Sequence, residues 1–104
     1  MPRDAEREGG RGLTCGGMAR YVVQLAFEGG PRRLAARPAH REHLRRLKER
    51  GRLVTAGPWA DDSGALHVYE VADEAELRAI LQEDPYTAVD GYEIVLLREW
   101  TPIM

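Results

Sequence analysis

RYVVQLAF, residues 20–27, is the stretch from which the fold is assigned. Its side chains divide into two alternating sets, Tyr21, Val23, Leu25 and Phe27 against Val22, Gln24 and Ala26. A period of two residues is typical of a β-strand, in which neighbouring side chains point to opposite faces of the sheet. The stretch therefore predicts a first strand, and the other elements are placed relative to it.

The residues after Gly29-Gly30-Pro31 predict a helix that extends to about Arg50, because strong helix formers predominate there. Inward side chains are expected at helical spacing, namely Leu34, His40, Leu44 and Leu47. Pro38 leaves two possibilities, since proline fits the first turn of a helix but not its interior. Either a short turn precedes a main helix that begins near Pro38, or one helix bends there. Gly51 suits the left-handed residue that follows a helix.

Four more elements and one hairpin turn are indicated further along the chain. They are a strand over 53–59 interrupted at Gly57-Pro58, a turn at 61–64, a strand over 66–71, a helix after Asp73 with Leu77, Ile80 and Leu81 on one face, and a strand over 92–100. The order βαββαβ favours a ferredoxin-like α+β fold, a four-stranded antiparallel sheet with both helices on one face.

The last strand is apolar on both faces, with Ile94 and Leu96 on one and Val95 and Leu97 on the other. A sheet face exposed to water is normally polar, so something must cover the face opposite the helices. A second copy is the simplest cover, because two-fold dimers dominate among small oligomers. We therefore predict a homodimer through the open sheet face.

The composition favours one small domain. The chain has 104 residues and a mass of 11.7 kDa, with 43% hydrophobic and 31% charged residues. No apolar run approaches the roughly 20 residues needed to cross a bilayer, so we expect no membrane span. The formal net charge of −2 gives no general attraction for phosphate backbones. The basic residues between 41 and 52 are then a solvated helix face, and we expect no nucleic-acid partner.

The first 17 residues, MPRDAEREGGRGLTCGG, are charged and rich in glycine. They lack the apolar stretch of a secretory signal, so we expect a disordered N-terminal extension at 1–17 and a domain at 18–104. Cys15 is the only cysteine, which excludes an internal disulfide and favours a reducing cytoplasm. Neither a Walker loop nor a GxGxxG loop occurs in the sequence, so no nucleotide cofactor is expected.

His40 is the strongest candidate for a functional side chain. It shares a helix stripe with Leu44 and Leu47 and should point inward. Asp84, directly before Pro85, could accept a hydrogen bond from the imidazole and orient it for general acid–base catalysis. The alternative is structural: His40 is a satisfied core histidine, and Asp84 only caps the turn that Pro85 opens.

Four other residues are candidates for ligand binding. Arg37 could bind an anionic group or pair with a surface carboxylate. Tyr86 could donate a phenolic hydrogen bond into a pocket or be a half-buried core residue. Gly57 and Pro58 could allow a ligand close to the backbone or form a strand-ending bulge.

A metal site is the alternative use of the histidines. His40 and His43 lie on one side of the helix, and His67 on the third strand could approach them. A usable site needs a third ligand and supporting contacts, which the spacing does not indicate, so we expect neither metal nor other cofactor.

The order and spacing of several short motifs resemble those of the YciI-like (YCII-related domain) family. The motifs are Arg37-Pro38-Ala39-His40, Leu44, Leu47, Gly51-Arg52-Leu53, Ala56-Gly57-Pro58 and Asp84-Pro85-Tyr86, within about residues 19–100. The resemblance implies a dimeric α/β-barrel, related in fold to muconolactone isomerases, in which a His and Asp pair lines a pocket. His40 and Asp84 match that pair. The N-terminal extension departs from the family pattern, as does His43 at a position that is often aromatic.

The leading hypothesis is a small enzyme that moves protons on a small organic acid or cyclic compound, in an isomerase or lyase reaction. His40 would be the base or acid, Asp84 its orienting partner and Arg37 an anion anchor. The alternative is a non-catalytic dimeric module that binds a small ligand or serves as an accessory partner.

Overall fold

The computed structural model describes residues 18–28, 30–89 and 91–104. The expected N-terminal extension, 1–17, lies outside the described residues. The elements are β1 (Ala19–Phe27), α1 (Pro31–Glu49), β2 (Leu53–Pro58), β3 (Gly64–Val71), α2 (Glu74–Gln82), a 3₁₀ helix (Pro85–Ala88) and β4 (Tyr92–Trp100). No helix in these ranges is long and apolar enough to cross a membrane.

The four strands form one antiparallel sheet in the order β2-β3-β1-β4. This order and the two helices confirm the predicted ferredoxin-like α+β fold. The third strand begins two residues earlier than predicted, since Gly64 already pairs with Ala26 of β1. The strict alternation predicted for β4 is wrong at one point. Gln24 pairs with Leu96 but Leu25 pairs with Ile94, so Val95 is an extra residue at a bulge.

Both helices pack on one face of the sheet and enclose the core. The sheet supplies Tyr21, Val23, Leu25, Tyr69 and Val71, while the helices supply Leu47, Leu77 and Ile80. The strand residues of this set have odd numbers, as the period of two in β1 requires. On the opposite face, Val22, Gln24, Leu66 and Leu96 are half-buried within the single chain.

Helix α1 runs continuously through Pro38, which excludes a separate short turn before a helix that begins there. Gly51 follows the end of the helix as predicted, and its φ of 76° lies in the left-handed region. One expected inward position is wrong, because Leu34 is 48% exposed and Arg33 is 4% exposed. Arg33 lies seven residues before His40, so the two side chains point within about 20° of the same direction around the helix axis. Leu34 lies six residues before His40, which gives a difference of about 120°. Arg33 therefore shares the inward stripe of His40, and Leu34 does not.

The segment after α2 brings Asp84 and Tyr86 to α1. Helix α2 begins at the predicted cap, where the Asp73 side chain accepts a hydrogen bond from the backbone N–H of Glu76. The following 3₁₀ helix is capped in the same way by Asp84, which accepts from the backbone N–H of Tyr86. This short helix packs against α1. The cap thus holds the Asp84 carboxylate beside the inward stripe.

Candidate functional site

His40 and Asp84 are in direct contact inside the protein. Nδ1 of His40 lies 2.7 Å from Oδ1 and 2.9 Å from Oδ2 of Asp84. The two side chains are only 6% and 8% exposed. Asp84 Oδ1 also accepts from the Tyr86 N–H at 3.0 Å, so one carboxylate both caps the turn and binds the histidine. An ionised carboxylate can only accept hydrogen bonds, so Nδ1 carries the proton and the Nε2 of a neutral imidazole is the acceptor.

Tyr86 fixes the plane of the same imidazole. The rings of His40 and Tyr86 are parallel within 5°, with centroids 3.8 Å apart. Tyr86 is itself 2% exposed and meets Phe27 edge-on at 6.0 Å. The motif Asp84-Pro85-Tyr86 therefore holds His40 by its edge through the carboxylate and by its face through the phenol ring.

His67 lies on the other side of His40. Their rings are stacked with centroids 5.6 Å apart, and Nδ1 of His67 is 2.9 Å from the Tyr69 hydroxyl. Burial lowers the pKa of His67 to about 4, and the proximity of His40 adds to the effect. His67 is therefore neutral at physiological pH. Within the described part of the chain, no group of three or more His, Cys, Asp or Glu side chains is placed to hold a metal ion.

An open pocket with a cavity volume of about 50 Å³ adjoins His40. The enclosed part can hold a few water molecules, so a small organic ligand would extend through the open mouth. The pocket is lined by Phe27, Arg33, Arg37, His40, Arg41, Leu44, Gly57, Pro58, Asp62, Ala65, His67 and Tyr86. Five of the six candidate residues from the sequence meet here: Arg37, His40, Gly57, Pro58 and Tyr86. Asp84, the sixth, contacts the pocket through His40.

Two arginines of the lining share one carboxylate. Nη2 of Arg37 lies 2.9 Å from Oδ2 of Asp62, and Nη2 of Arg33 lies 3.4 Å from the same oxygen. Arg37 thus makes the carboxylate pair that the sequence left open while also lining the pocket. Hydrogen bonding from Arg37 lowers the pKa of Asp62, which keeps this carboxylate ionised.

Arg33, Asp62 and His67 were not identified from the sequence as ligand-binding residues. A signal for Arg33 was present, because Arg33, Arg37 and His40 follow the spacing of four and three that continues to Leu44 and Leu47. His67 follows the alternation of β3, where Ala65, His67 and Tyr69 share the buried face. Asp62 is in a hairpin turn, and no sequence pattern related that turn to α1.

Comparison with known proteins agrees with this architecture. The family model described as YCII-related domain matches residues 19–101. Protein YciI of Escherichia coli O6:H1 and Protein YciI of Shigella flexneri are each 32% identical over 82 residues, which covers 69% of this chain and 84% of each relative.

A solved structure gives an independent comparison. It is the 5-chloro-2-hydroxyhydroquinone dehydrochlorinase of Burkholderia phenoliruptrix AC1100, in complex with 2,5-dihydroxybenzoquinone. It matches with a TM-score of 0.66 and 19% identity, covering 79% of this chain and 93% of the dehydrochlorinase chain. At this identity the match shows a shared fold.

Proposed function

The chain belongs to the YCII-related domain family, and we propose that it is a small enzyme that moves a proton on a small organic acid or cyclic compound. One observation carries the proposal. His40, held at Nδ1 by a buried carboxylate 2.7 Å away, lines a pocket that is open to solvent.

In the proposed reaction, Nε2 of His40 takes a proton from the ligand. In an isomerisation, the electron pair left behind shifts along the ligand and His40 returns the proton to a different atom. In an elimination, the same electron pair forms a double bond and expels a leaving group from the adjacent atom. The Asp84 carboxylate stabilises the imidazolium that forms and keeps the ring oriented. A positioned general base of this kind contributes about 10²- to 10⁴-fold to a rate.

The remaining candidate residues would bind the ligand. Arg37 provides a positive charge for an anionic substituent, and the Tyr86 hydroxyl can donate a hydrogen bond. Gly57 has no other atoms within 4 Å of the position that a Cβ would take, so the ligand can approach the backbone at Gly57 and Pro58. The dehydrochlorinase of the same fold supports a ring compound as ligand, because it was solved with 2,5-dihydroxybenzoquinone.

We further propose a homodimer in the cytoplasm, formed through the open sheet face. The half-buried Val22, Leu66 and Leu96 on that face would be covered by the second copy. Sedimentation velocity at micromolar concentration tests the dimer. A dimer that Leu66→Glu converts to a folded monomer is expected, and a monomeric unmodified chain would contradict the proposal.

Proton exchange in D₂O tests the enzymatic function before the substrate is known. NMR follows the exchange of carbon-bound protons in a panel of hydroxylated quinones and small carboxylic acids. We expect the protein to catalyse exchange in at least one compound. The exchange rate should fall by about 10²-fold or more in His40→Asn and in Asp84→Asn. It should be unchanged in Arg78→Gln, which changes an exposed residue of α2. Binding without exchange would instead indicate a non-catalytic ligand-binding module.

A further inference from the structure

We propose that Arg33 and Arg37 form an anion subsite in the pocket, which Asp62 occupies as an exchangeable carboxylate until a small anionic ligand displaces it. This deepens the proposed function by naming the charge class of the ligand. Its binding test does not depend on catalysis.

Arg33 has hydrogen-bonding capacity that the folded chain leaves unused. Its side chain is 4% exposed, and neither Nε nor Nη1 has a partner among residues 18–28, 30–89 and 91–104. Its contact with the Asp62 carboxylate is long, at 3.4 Å. The guanidinium carbon lies 4.0 Å from the centre of the Phe27 ring, which compensates only part of the lost hydration. A buried cation with unpaired donors is costly, so an anion in the pocket would stabilise it.

Asp62 has the properties of an occupant that can leave. Its side chain is 45% exposed, so its carboxylate can return to water without being buried unpaired. Its backbone is held independently, because the Asp62 N–H donates to the carbonyl oxygen of Trp59 at 2.9 Å in the hairpin turn. Rotation of the side chain alone would therefore vacate the subsite.

The charges of the lining favour an anionic ligand. Among the described residues, the lining contains Arg33, Arg37 and Arg41 but only one carboxylate, Asp62, whereas Asp84 is engaged with His40. A ligand anion that replaces Asp62 between two guanidinium groups gains charge-assisted hydrogen bonds.

The subsite and His40 line the same pocket. Along the axis of α1, Arg37 and Arg33 precede His40 by about 4.5 and 10 Å, at a rise of 1.5 Å per residue. The anion at the arginines would then place the body of the ligand beside His40.

Benzoate and benzamide provide matched probes, since they have nearly the same shape and differ in charge. Calorimetry measures the affinity of each for the full chain, and NMR follows the Nε–H resonance of Arg33. We expect benzoate to bind about tenfold or more tightly than benzamide and to shift the Arg33 resonance. Equal affinity for the two probes, or an unmoved Arg33 resonance at saturation, would overturn the proposal.

Two variants test the exchange itself. Asp62→Asn removes the resident charge from an exposed turn and should tighten benzoate binding severalfold, whereas weaker or unchanged binding would contradict exchange. Arg33→Met should abolish the preference for benzoate, and Arg78→Met, the same change on the exposed face of α2, should retain it. A preference that survives in folded Arg33→Met would also contradict the subsite.

The two proposals fail separately. Benzoate binding that persists in His40→Asn, in a protein that exchanges no protons, would leave the subsite intact and remove the enzymatic function. Proton exchange of neutral compounds without any preference for anions would support the enzymatic function and contradict the anion subsite.

Discussion

Replacing His40 by Phe and Asp84 by Ala, singly and together, should reveal a coupling of about 2 kcal/mol in the free energy of unfolding. The two side chains share contacts of 2.7 and 2.9 Å and are less than a tenth exposed, so their hydrogen bond is charge-assisted and shielded from water. Phe at position 40 retains a ring to stack on Tyr86. The hydrogen bond that caps the turn at Tyr86 is lost in both Asp84→Ala variants, with and without His40→Phe. Its contribution to the free energy of unfolding therefore cancels in this double-mutant cycle.

Urea unfolding followed by tryptophan fluorescence measures the four stabilities, at one protein concentration because a dimer would unfold in a concentration-dependent way. His40→Phe alone should be the more informative single change, since it leaves the Asp84 carboxylate buried with only the Tyr86 N–H. A coupling below about 0.5 kcal/mol is the value of an exposed ion pair and would refute the assignment of a buried, shielded pair.

Two further predictions concern stability. A Cβ at Gly64 would overlap the backbone oxygen of Leu25, so Gly64→Ala should lower the free energy of unfolding by about 3 kcal/mol. The position of Gly57 is open, so Gly57→Ala should change the free energy of unfolding by no more than about 0.5 kcal/mol. Equal effects of the two substitutions in urea unfolding would contradict this packing. Burial lowers the pKa of His67 from 6.5 to about 4, so between these values the unfolded chain binds a proton that the folded chain excludes. The free energy of unfolding should therefore decrease as the pH falls from about 6.5 to about 4, and the decrease should be about 3 kcal/mol larger in the wild type than in His67→Gln. Parallel pH profiles of the two proteins would show that His67 is not responsible.

The sequence was sufficient for the fold because its strands and helices have clear periods. The alternation in residues 20–27 located β1, and Asp73 and Gly51 marked where one helix begins and another ends. The bulge at Val95 was missed, since an extra residue in a strand depends on the pairing with β1 and leaves no local pattern. Pro38 was ambiguous because packing of α1, rather than propensity, decides whether a helix continues through a proline.

For the site, the sequence indicated His40 and Asp84 through a helix stripe and an Asp-Pro turn. It could not show that Asp84 would cap the turn and bind the histidine at once, because that requires the 3₁₀ helix to pack on α1. Arg33 was missed for a different reason. An arginine on an amphipathic helix is usually solvated, and only the tertiary structure shows this one buried beneath Asp62.

The ring nitrogens of His40 test the central claim most directly. Nitrogen-15 NMR of the neutral imidazole, at mildly alkaline pH, distinguishes a protonated ring nitrogen from one that carries a lone pair. We predict that Nδ1 carries the proton and donates it to Asp84, with Nε2 unprotonated and its resonance shifted by a ligand in the pocket. A proton on Nε2, or rapid averaging between the two forms, would contradict the role of Asp84 in holding His40 as a base.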